Sequence, residues 1–252
     1  MTKILLSGCL GKMGTVITQA VLERDDCEIV AGIDHSTPKE SLLYPVYDSF
    51  DKISESADVI IDFSNPAVLD SLLSYAEKNN IPAVIATTGL NEEQIKNIEK
   101  LSKKLPIFFT ANMSLGVNLI CELAKKAAKV LYPAYNIEII EQHHNLKLDA
   151  PSGTALMIAN EIASVLPDKV SYEYDRHSKR AKRPVDEIGI HSVRGGTIVG
   201  EHEVIFAGKD EIVKISHSAM SKEIFATGSI NAAIYLKNQK PGLYSMKDML
   251  DD

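Results

Sequence analysis

The sequence predicts an α/β protein in which a doubly wound parallel-sheet domain is joined to a smaller α+β domain with a largely antiparallel sheet. Three observations carry that prediction. A short apolar strand, Lys3 to Ser7, runs into a glycine-rich turn and then a helical repeat. Strand and helix signals alternate from there to Phe109, as they do where crossover helices connect the strands of a parallel sheet. From Ile188 onward, three strand signals follow one another without an intervening helix, the pattern of an antiparallel meander.

The first turn reads Gly8-Cys9-Leu10-Gly11-Lys12-Met13-Gly14, and Val16, Ile17, Ala20 and Val21 follow at helical spacing. Strand, glycine turn and helix form the Rossmann-type dinucleotide arrangement, here with GxxGxxG rather than GxGxxG spacing. Such glycines serve a tight turn, close approach of the backbone to a pyrophosphate, and close packing of helix on sheet. Cys27 to Ile33 is a second strand ending at Asp34, twenty residues after Gly14. A carboxylate there can accept hydrogen bonds from ribose hydroxyls. Val59 to Phe63 is a buried strand, and Pro66 opens a helix reaching about Lys78, since proline suits a first helical turn. Ala83 to Ala86 is a strand ending in Thr87-Thr88-Gly89, a charged helix spans Asn91 to Lys103, and Ile107 to Phe109 leads into Thr110-Ala111-Asn112-Met113-Ser114. Each strand of this half ends in a small or polar turn, as expected where a parallel sheet presents its carboxyl ends to a ligand.

After Ser114 the pattern changes. Gly116 to Leu131 reads as one amphipathic helix, Ile137 to Ile140 as a buried strand, and Gly153 to Leu166 as a helix, followed by a polar, basic stretch from Asp175 to Arg183. The three successive strands are Ile188 to Arg194, Glu201 to Ala207 and Glu211 to Ser218, with turns at Gly195-Gly196 and Gly208-Lys209-Asp210. Ser221 to Lys237 returns to helix, and the tail from Pro241 to Asp252 is expected to pack back on the first domain. The domains expected are therefore 1–113, completed by 218–252, for dinucleotide binding, and 114–217 for substrate binding and self-association.

Composition limits the function. The chain has 252 residues, 45% of them hydrophobic and 24% charged, an ordinary globular balance with enough length for a substantial core. A net charge of -7 argues against general nucleic-acid or anionic-membrane binding. No apolar run reaches the length of a membrane span, and Met1-Thr2-Lys3 leads into a strand rather than a signal peptide, so a cytoplasmic location is expected. Cys9, Cys27 and Cys121 form no CxxC pair, which suggests neither a disulfide framework nor a structural zinc. Cys9 reads as a small filler of the glycine turn.

The chemically densest stretch is Glu141 to Leu156, EQHHNLKLDAPSGTAL. His143 and His144 sit where a strand gives way to a loop, and Ser152 caps the helix that begins at Gly153 and Thr154. The N–H groups at that helix start, with Lys147 six residues before it, suit a carboxylate or a phosphate equally. A His-His pair at a strand end is ordinarily a pair of hydrogen-bonded loop residues. Here Lys147 and the cap accompany it.

His143-His144, Lys147 and DAPSGTAL together resemble the signature of the dihydrodipicolinate reductase family of lysine and diaminopimelate synthesis. Asp62-Phe63-Ser64 and the block from Ala111 to Asn118 are further family-like segments. The resemblance implies an NADH- or NADPH-dependent oxidoreductase acting on 4-hydroxy-tetrahydrodipicolinate, a small dicarboxylate, and a homotetramer. It assigns the pyrophosphate to Gly8, Cys9, Leu10, Gly11, Lys12 and Met13, and the adenine ribose to Asp34. The nicotinamide half goes to Ala86, Thr87, Thr88, Thr110, Ala111, Asn112 and Met113. It makes His143 the proton donor or acceptor, Lys147 a second proton donor, and His144, Lys147, Gly153 and Thr154 the substrate contacts, with no metal. Asn145-Leu146 stand where relatives often carry Arg and His, leaving one charge fewer for the substrate. Asp34 with neighbouring His35 favours NADH, while Lys12 or Lys39 could take the extra phosphate of NADPH. A zinc hydrolase does not fit adjacent histidines. A non-catalytic NAD(H) sensor, or a dehydrogenase of another small carboxylate, would share the first domain and leave His143, His144 and Lys147 unexplained.

Overall fold

The computed structural model describes residues 1–38 and 41–251, which divide into two units: Met1–Ser114 with Lys222–Asp252, and Leu115–Ser221. In the first unit the elements are β1 (Thr2–Ser7), α1 (Lys12–Leu22), β2 (Cys27–Ile33), β3 (Val46–Tyr47), β4 (Val59–Asp62), α2 (Leu69–Asn79), β5 (Ala83–Ile85), α3 (Glu92–Ser102) and β6 (Pro106–Phe109). In the second they are α4 (Leu115–Leu131), β7 (Asn136–His143), α5 (Gly153–Ala163), β8 (Ser171–Glu173), β9 (Glu187–Arg194), β10 (Gly200–Ala207) and β11 (Ile212–Ala219). The chain then returns to the first unit with α6 (Glu223–Leu236), β12 (Gly242–Tyr244) and α7 (Met246–Asp251).

The first unit is a seven-stranded sheet in the order β12-β6-β5-β4-β1-β2-β3, with every pair parallel. Alternate residues of β1 explain its continuous apolar run. Ile4 and Leu6 join a core with Ile17 and Val21 of α1 and Ile230 and Leu236 of α6, whereas Leu5 joins one with Leu69 and Leu72 of α2 and Ile98 of α3. Both faces are covered, so both sets of side chains are apolar. The order reverses at β1, which pairs with β2 on one edge and β4 on the other, and this opens a crevice beyond the carboxyl ends of the strands. Pro66 starts a 3-10 turn, Pro66–Val68, before α2 proper. Asn91 caps α3 through a reciprocal pair with Gln94. At two and three residues, β3 and β12 are too short to leave a periodic signal.

The second unit is a mixed sheet, β11-β10-β7-β9-β8, and here the expected meander is corrected. β10 and β11 do form an antiparallel hairpin, but β9 does not pair with β10. β7 lies between them, parallel to β9 and antiparallel to β10, and β8 is parallel to β9. The five residues 195–199 between β9 and β10 are enough to step over one strand, a distance of about 10 Å at normal strand spacing. They pass across the end of β7, where Gly195 N donates to the His143 carbonyl at 2.9 Å and Asn145 N to that of Gly196 at 3.2 Å. Ile137, Ile139, Ile190, Val204 and Phe206 point to one face and pack on Ala124 and Ala128 of α4 and Ile158 and Ile162 of α5. The basic stretch is tied down by acidic residues: Arg176 to Glu187, Lys179 to Glu173, and Arg183 to Glu138. α5 ends at Ala163, three residues earlier than its apolar pattern suggests, in bonds from Val165 to Ile162 and Leu166 to Ala163.

α6 packs against the segment that follows β6 with no room to spare. A Cβ at Gly228 would lie 1.7 Å from the Met113 carbonyl oxygen, so Gly228→Ala has to push α6 away from residues 110–113. Overpacking of this kind costs about 1–3 kcal/mol. Urea unfolding of the variant is expected to show a lower midpoint at unchanged slope, and an unchanged midpoint would mean that the contact is slack.

Candidate functional site

In the first unit the sequence-selected residues gather at the carboxyl ends of β1, β2, β5 and β6. The turn after β1 is held in shape by its backbone: Gly8 N donates to the Ile33 carbonyl at 2.8 Å and Gly11 N to that of Gly8 at 3.1 Å. Gly8 has φ +77°, and a Cβ there would meet the Phe63 carbonyl at 2.6 Å, so no larger residue fits. Asp34 closes the loop from the end of β2, accepting from Leu10 N and Ser36 N at 3.0 Å each. Leu10 and Met13 turn their side chains onto the core, and Cys9 is buried there. Burial, with Asp34 nearby, pushes its thiol up to about 12, so it is an inert filler. The N–H groups of Gly8, Cys9, Leu10 and Gly11 are spent on hydrogen bonds of this kind, so what the loop offers a ligand is the N–H groups that open α1, together with the side chain of Lys12, its exposed first residue. Lys39 lies outside the described residues.

Beside the loop lies a cleft of about 710 Å³ whose walls include Gly8, Gly11, Asp34, His35, Phe63, Ser64 and Tyr75. Asp48, Asp51 and Asp70 also face it, with Lys78. The sequence reading missed one contributor beneath the loops, Asp62 at the end of β4. Its fully buried carboxylate accepts from Ser64 Oγ at 2.6 Å and Thr87 Oγ1 at 2.7 Å, joining the turns after β4 and β5. After β6, Asn112 Oδ1 accepts from Ser114 N at 2.8 Å and so shapes the Thr110–Ser114 turn.

In the second unit the centre is the end of β7. Glu141 continues the inward register of Ile137 and Ile139, and its carboxylate is fully buried. Arg194, at the end of β9, grips it with both nitrogens of its fork, at 2.8 and 2.6 Å. His143 Nδ1 lies 2.6 Å from the same group, and Ser152 N donates to it at 3.0 Å. Burial alone would raise the carboxyl, but Arg194, Ser192, His143 and the Ser152 N–H together hold it down at about 2. Arg194 also donates to the Asp149 carbonyl at 2.6 Å, tying down the loop that carries Lys147. Lys147 itself pairs with Asp149 at 2.8 Å.

Sheet register supplies the rest. Ser192, Glu141, His202 and His217 form one row across β9, β7, β10 and β11. His202 packs edge-on to His143 with ring centres 5.3 Å apart, and its Nε2 lies 3.0 Å from Ser152 Oγ, which also accepts from Ala155 N at the start of α5. Burial first, then the neighbouring His143, lowers His202 to about 4; it is a neutral partner of the helix cap. Gly153 and Thr154 are the first two residues of α5, where N–H groups point out of the helix end. His144 is half-buried just beyond β7. Structure thus brings His143, Lys147 and the α5 start into one cluster, and adds Glu141, Arg194 and His202. A glutamate in the inward register of an apolar strand was a readable signal; its arginine, 53 residues away, was not. Among the described residues no group of three or more His, Cys, Asp or Glu is arranged to hold a metal ion, and no helix is long and apolar enough to cross a membrane.

The family model described as Dihydrodipicolinate reductase, N-terminus, matches residues 2–113, and that described as Dihydrodipicolinate reductase, C-terminus, matches residues 116–250. The chain is 53% identical to a 4-hydroxy-tetrahydrodipicolinate reductase of Caldanaerobacter subterraneus subsp. tengcongensis, covering 99% of this chain and 98% of the relative. It is 49% identical to one from Clostridium novyi at the same coverage. Among solved structures, a dipicolinate-bound dihydrodipicolinate reductase from Paenisporosarcina sp. TG-14 superposes with a TM-score of 0.82 at 28% identity over 97% of each chain. A probable dehydrogenase from Thermotoga maritima shares the fold alone, with a TM-score of 0.60 at 13% identity over 98% of this chain and 92% of its own.

His202 makes stability depend on pH with a defined sign. Its folded-state value near 4 lies below the ordinary 6.5, so between these limits the unfolded chain binds the extra proton and stability falls as pH falls. The expected loss from pH 7 to pH 4 is on the order of 3 kcal/mol from this residue. Urea unfolding across that range should show a shallower pH dependence in His202→Gln than in the wild type; parallel curves would mean that His202 titrates normally in the fold.

Proposed function

The chain belongs to the dihydrodipicolinate reductase family, and on that premise we propose that it reduces 4-hydroxy-tetrahydrodipicolinate to tetrahydrodipicolinate with a nicotinamide cofactor, in lysine and diaminopimelate biosynthesis. What carries the reading of the site is the convergence of His143, Lys147 and the first turn of α5 on the loop beyond β7.

The first unit holds the cofactor. The loop from Gly8 to Met13 takes the pyrophosphate at the N–H groups that open α1, those of Lys12 and Met13, with the Lys12 side chain beside them, and Asp34 accepts from the adenine ribose. Ala86, Thr87, Thr88 and Thr110 to Met113 line the nicotinamide half. The loop geometry supports this: Gly8, whose Cβ would strike the Phe63 carbonyl, lets the turn close tightly before α1, and the adjoining cleft suits an adenosine. NADH is the preferred form. A 2′-phosphate would bring negative charge to Asp34 and to a cleft already faced by Asp48, Asp51 and Asp70, and Lys52 nearby is taken by Asp48 at 2.8 Å. NADPH is used less well.

When bound, the cofactor would supply a hydride to the conjugated imine-type ring that forms as the substrate's 4-hydroxyl leaves as water. The chain's own residues do the remainder. Lys147 and the N–H groups of Gly153 and Thr154 hold the substrate carboxylates, with His144 at their side, and a carboxylate that takes Lys147 displaces its partner Asp149. His143 handles the proton that the electron-rich carbon requires, a task suited to an imidazole, and Lys147 is the second donor. Asn145 and Leu146 offer this substrate no positive charge, so Lys147 bears more of its binding. The sheet of the second unit packs its helices on one face and exposes Val193 and Ile212 on the other; an uncovered face of this kind supports a homotetramer. The enzyme acts in the cytoplasm.

Oxidation of NADH or NADPH, with substrate formed in place from pyruvate and aspartate semialdehyde, tests the reading. The wild type should turn over, and His143→Ala and Lys147→Ala should each lose about 100-fold or more in kcat. Turnover insensitive to both substitutions would leave the activity standing and overturn the site. For cofactor choice, Asp34→Ala is expected to narrow the ratio of kcat/KM for NADH over NADPH by about tenfold, the worth of one charge-assisted hydrogen bond. An unchanged ratio would remove Asp34 from that role.

A further inference from the structure

We propose that Glu141, clamped by Arg194, is a positioning residue for the reduction: it fixes His143 in the tautomer with the proton on Nδ1, and Arg194 limits how strongly the carboxylate holds a charge on that ring. The inference rests on the reading of His143 as the group that handles the proton.

The geometry leaves His143 little choice. An ionised carboxylate has no hydrogen to give, so at 2.6 Å the imidazole Nδ1 must be the donor. Nε2 is then the atom left to exchange protons, and it lies against Gly200, which has no side chain to cover it. A neutral imidazole free to swap tautomers would present the wrong nitrogen part of the time. Glu141 cannot turn away. Its two oxygens are also held by Arg194 at 2.6 and 2.8 Å and by Ser152 N at 3.0 Å, from two separate segments of the unit.

Arg194 has a separate electrical effect. A lone buried carboxylate beside His143 would favour the imidazolium strongly; paired with a guanidinium, it keeps its acceptor oxygens but loses most of its net field. The other groups facing His143 are His202 from β10, with His217 beyond it on β11, and His144, Lys147 and Asp149 from its own following loop. His202 is neutral above its lowered value, and Lys147 and Asp149 offset one another. Glu141 and Arg194 are therefore the pair whose separation changes the charge next to the ring.

The two halves of the pair predict shifts of opposite sign. Glu141→Gln keeps the shape and strands the positive Arg194, so the limb of the kcat/KM profile that depends on His143 moves to lower pH. Arg194→Met strands the negative Glu141 and moves it to higher pH, each by about one unit or more. In Glu141→Gln, kcat should fall about 100-fold with little change in substrate KM, as for an interaction felt in the transition state. Arg194→Lys should restore the wild-type limb. A loss of structure alone would not separate the variants by sign.

Tautomer state can be read without turnover, by ¹⁵N-histidine NMR of the wild-type protein, with the His143 signal identified by its loss from the spectrum of folded His143→Ala. The expected result is protonated Nδ1 and unprotonated Nε2 on neutral His143. The reverse pattern, or limbs moving the same way in both variants, overturns the proposal. If the wild type fails to reduce the substrate while the tautomer is as expected, it is the reductase reading that falls.

Discussion

Arg194 and the buried carboxylate of Glu141 form an ion pair on which the second unit's working end depends. Removing the partner of a buried charge costs about 3–5 kcal/mol, and the carboxylate of Glu141 is the half of this pair that water does not reach, while Arg194 is partly exposed. The pair's value here is geometric as much as energetic. One carboxylate organises the end of β7, the end of β9, the cap of α5 and the ring of His143, and the arginine that satisfies it also fastens the loop between His143 and the helix through the Asp149 carbonyl. The side chains assigned to the substrate thus stand on a frame in which both carboxylate oxygens of Glu141 are held, although Arg194 Nε, His202 Nδ1 and His217 Nδ1 are buried without a hydrogen-bond partner among the described residues.

The first unit solves the matching problem with backbone rather than charge. Its central strand β1 is buried on both faces and feeds a turn in which Gly8 meets the Phe63 carbonyl and Asp34 takes the Leu10 N–H. Asp62 does for the turns after β4 and β5 what Glu141 does in the other unit, through hydroxyls and without a cation. In both units an acidic side chain placed at the end of an inward-facing strand joins neighbouring loops. A buried carboxylate must find donors, and at a strand end only loops can bring them.

His202 links this framework to conditions in solution. It is neutral, buried and bonded to the hydroxyl that caps α5, so the helix start that offers its N–H groups to a carboxylate rests on an imidazole that cannot charge without cost.

Sequence alone determined the alternation that makes the first unit a parallel α/β sheet, the glycine turn with its acidic partner at Asp34, and the run from His143 to Thr154. Each is written in residues close together along the chain, where periodicity, turn chemistry and capping act over a few positions. Tertiary structure decided the rest. The succession of β9, β10 and β11 reads as a meander, yet β7, an earlier strand, takes the place between β9 and β10. Strand order is set by which edges find partners across the whole unit, and no local pattern records it. Because β7 lies there, Arg194 from one neighbour and His202 from the other close on Glu141 and His143. Asp62 was visible as a residue but not as a clamp, since Thr87 reaches it only when β5 pairs beside β4. A hydrogen bond between residues far apart in sequence depends on folding to bring them within 3 Å or so, and only the folded chain shows which pairs those are.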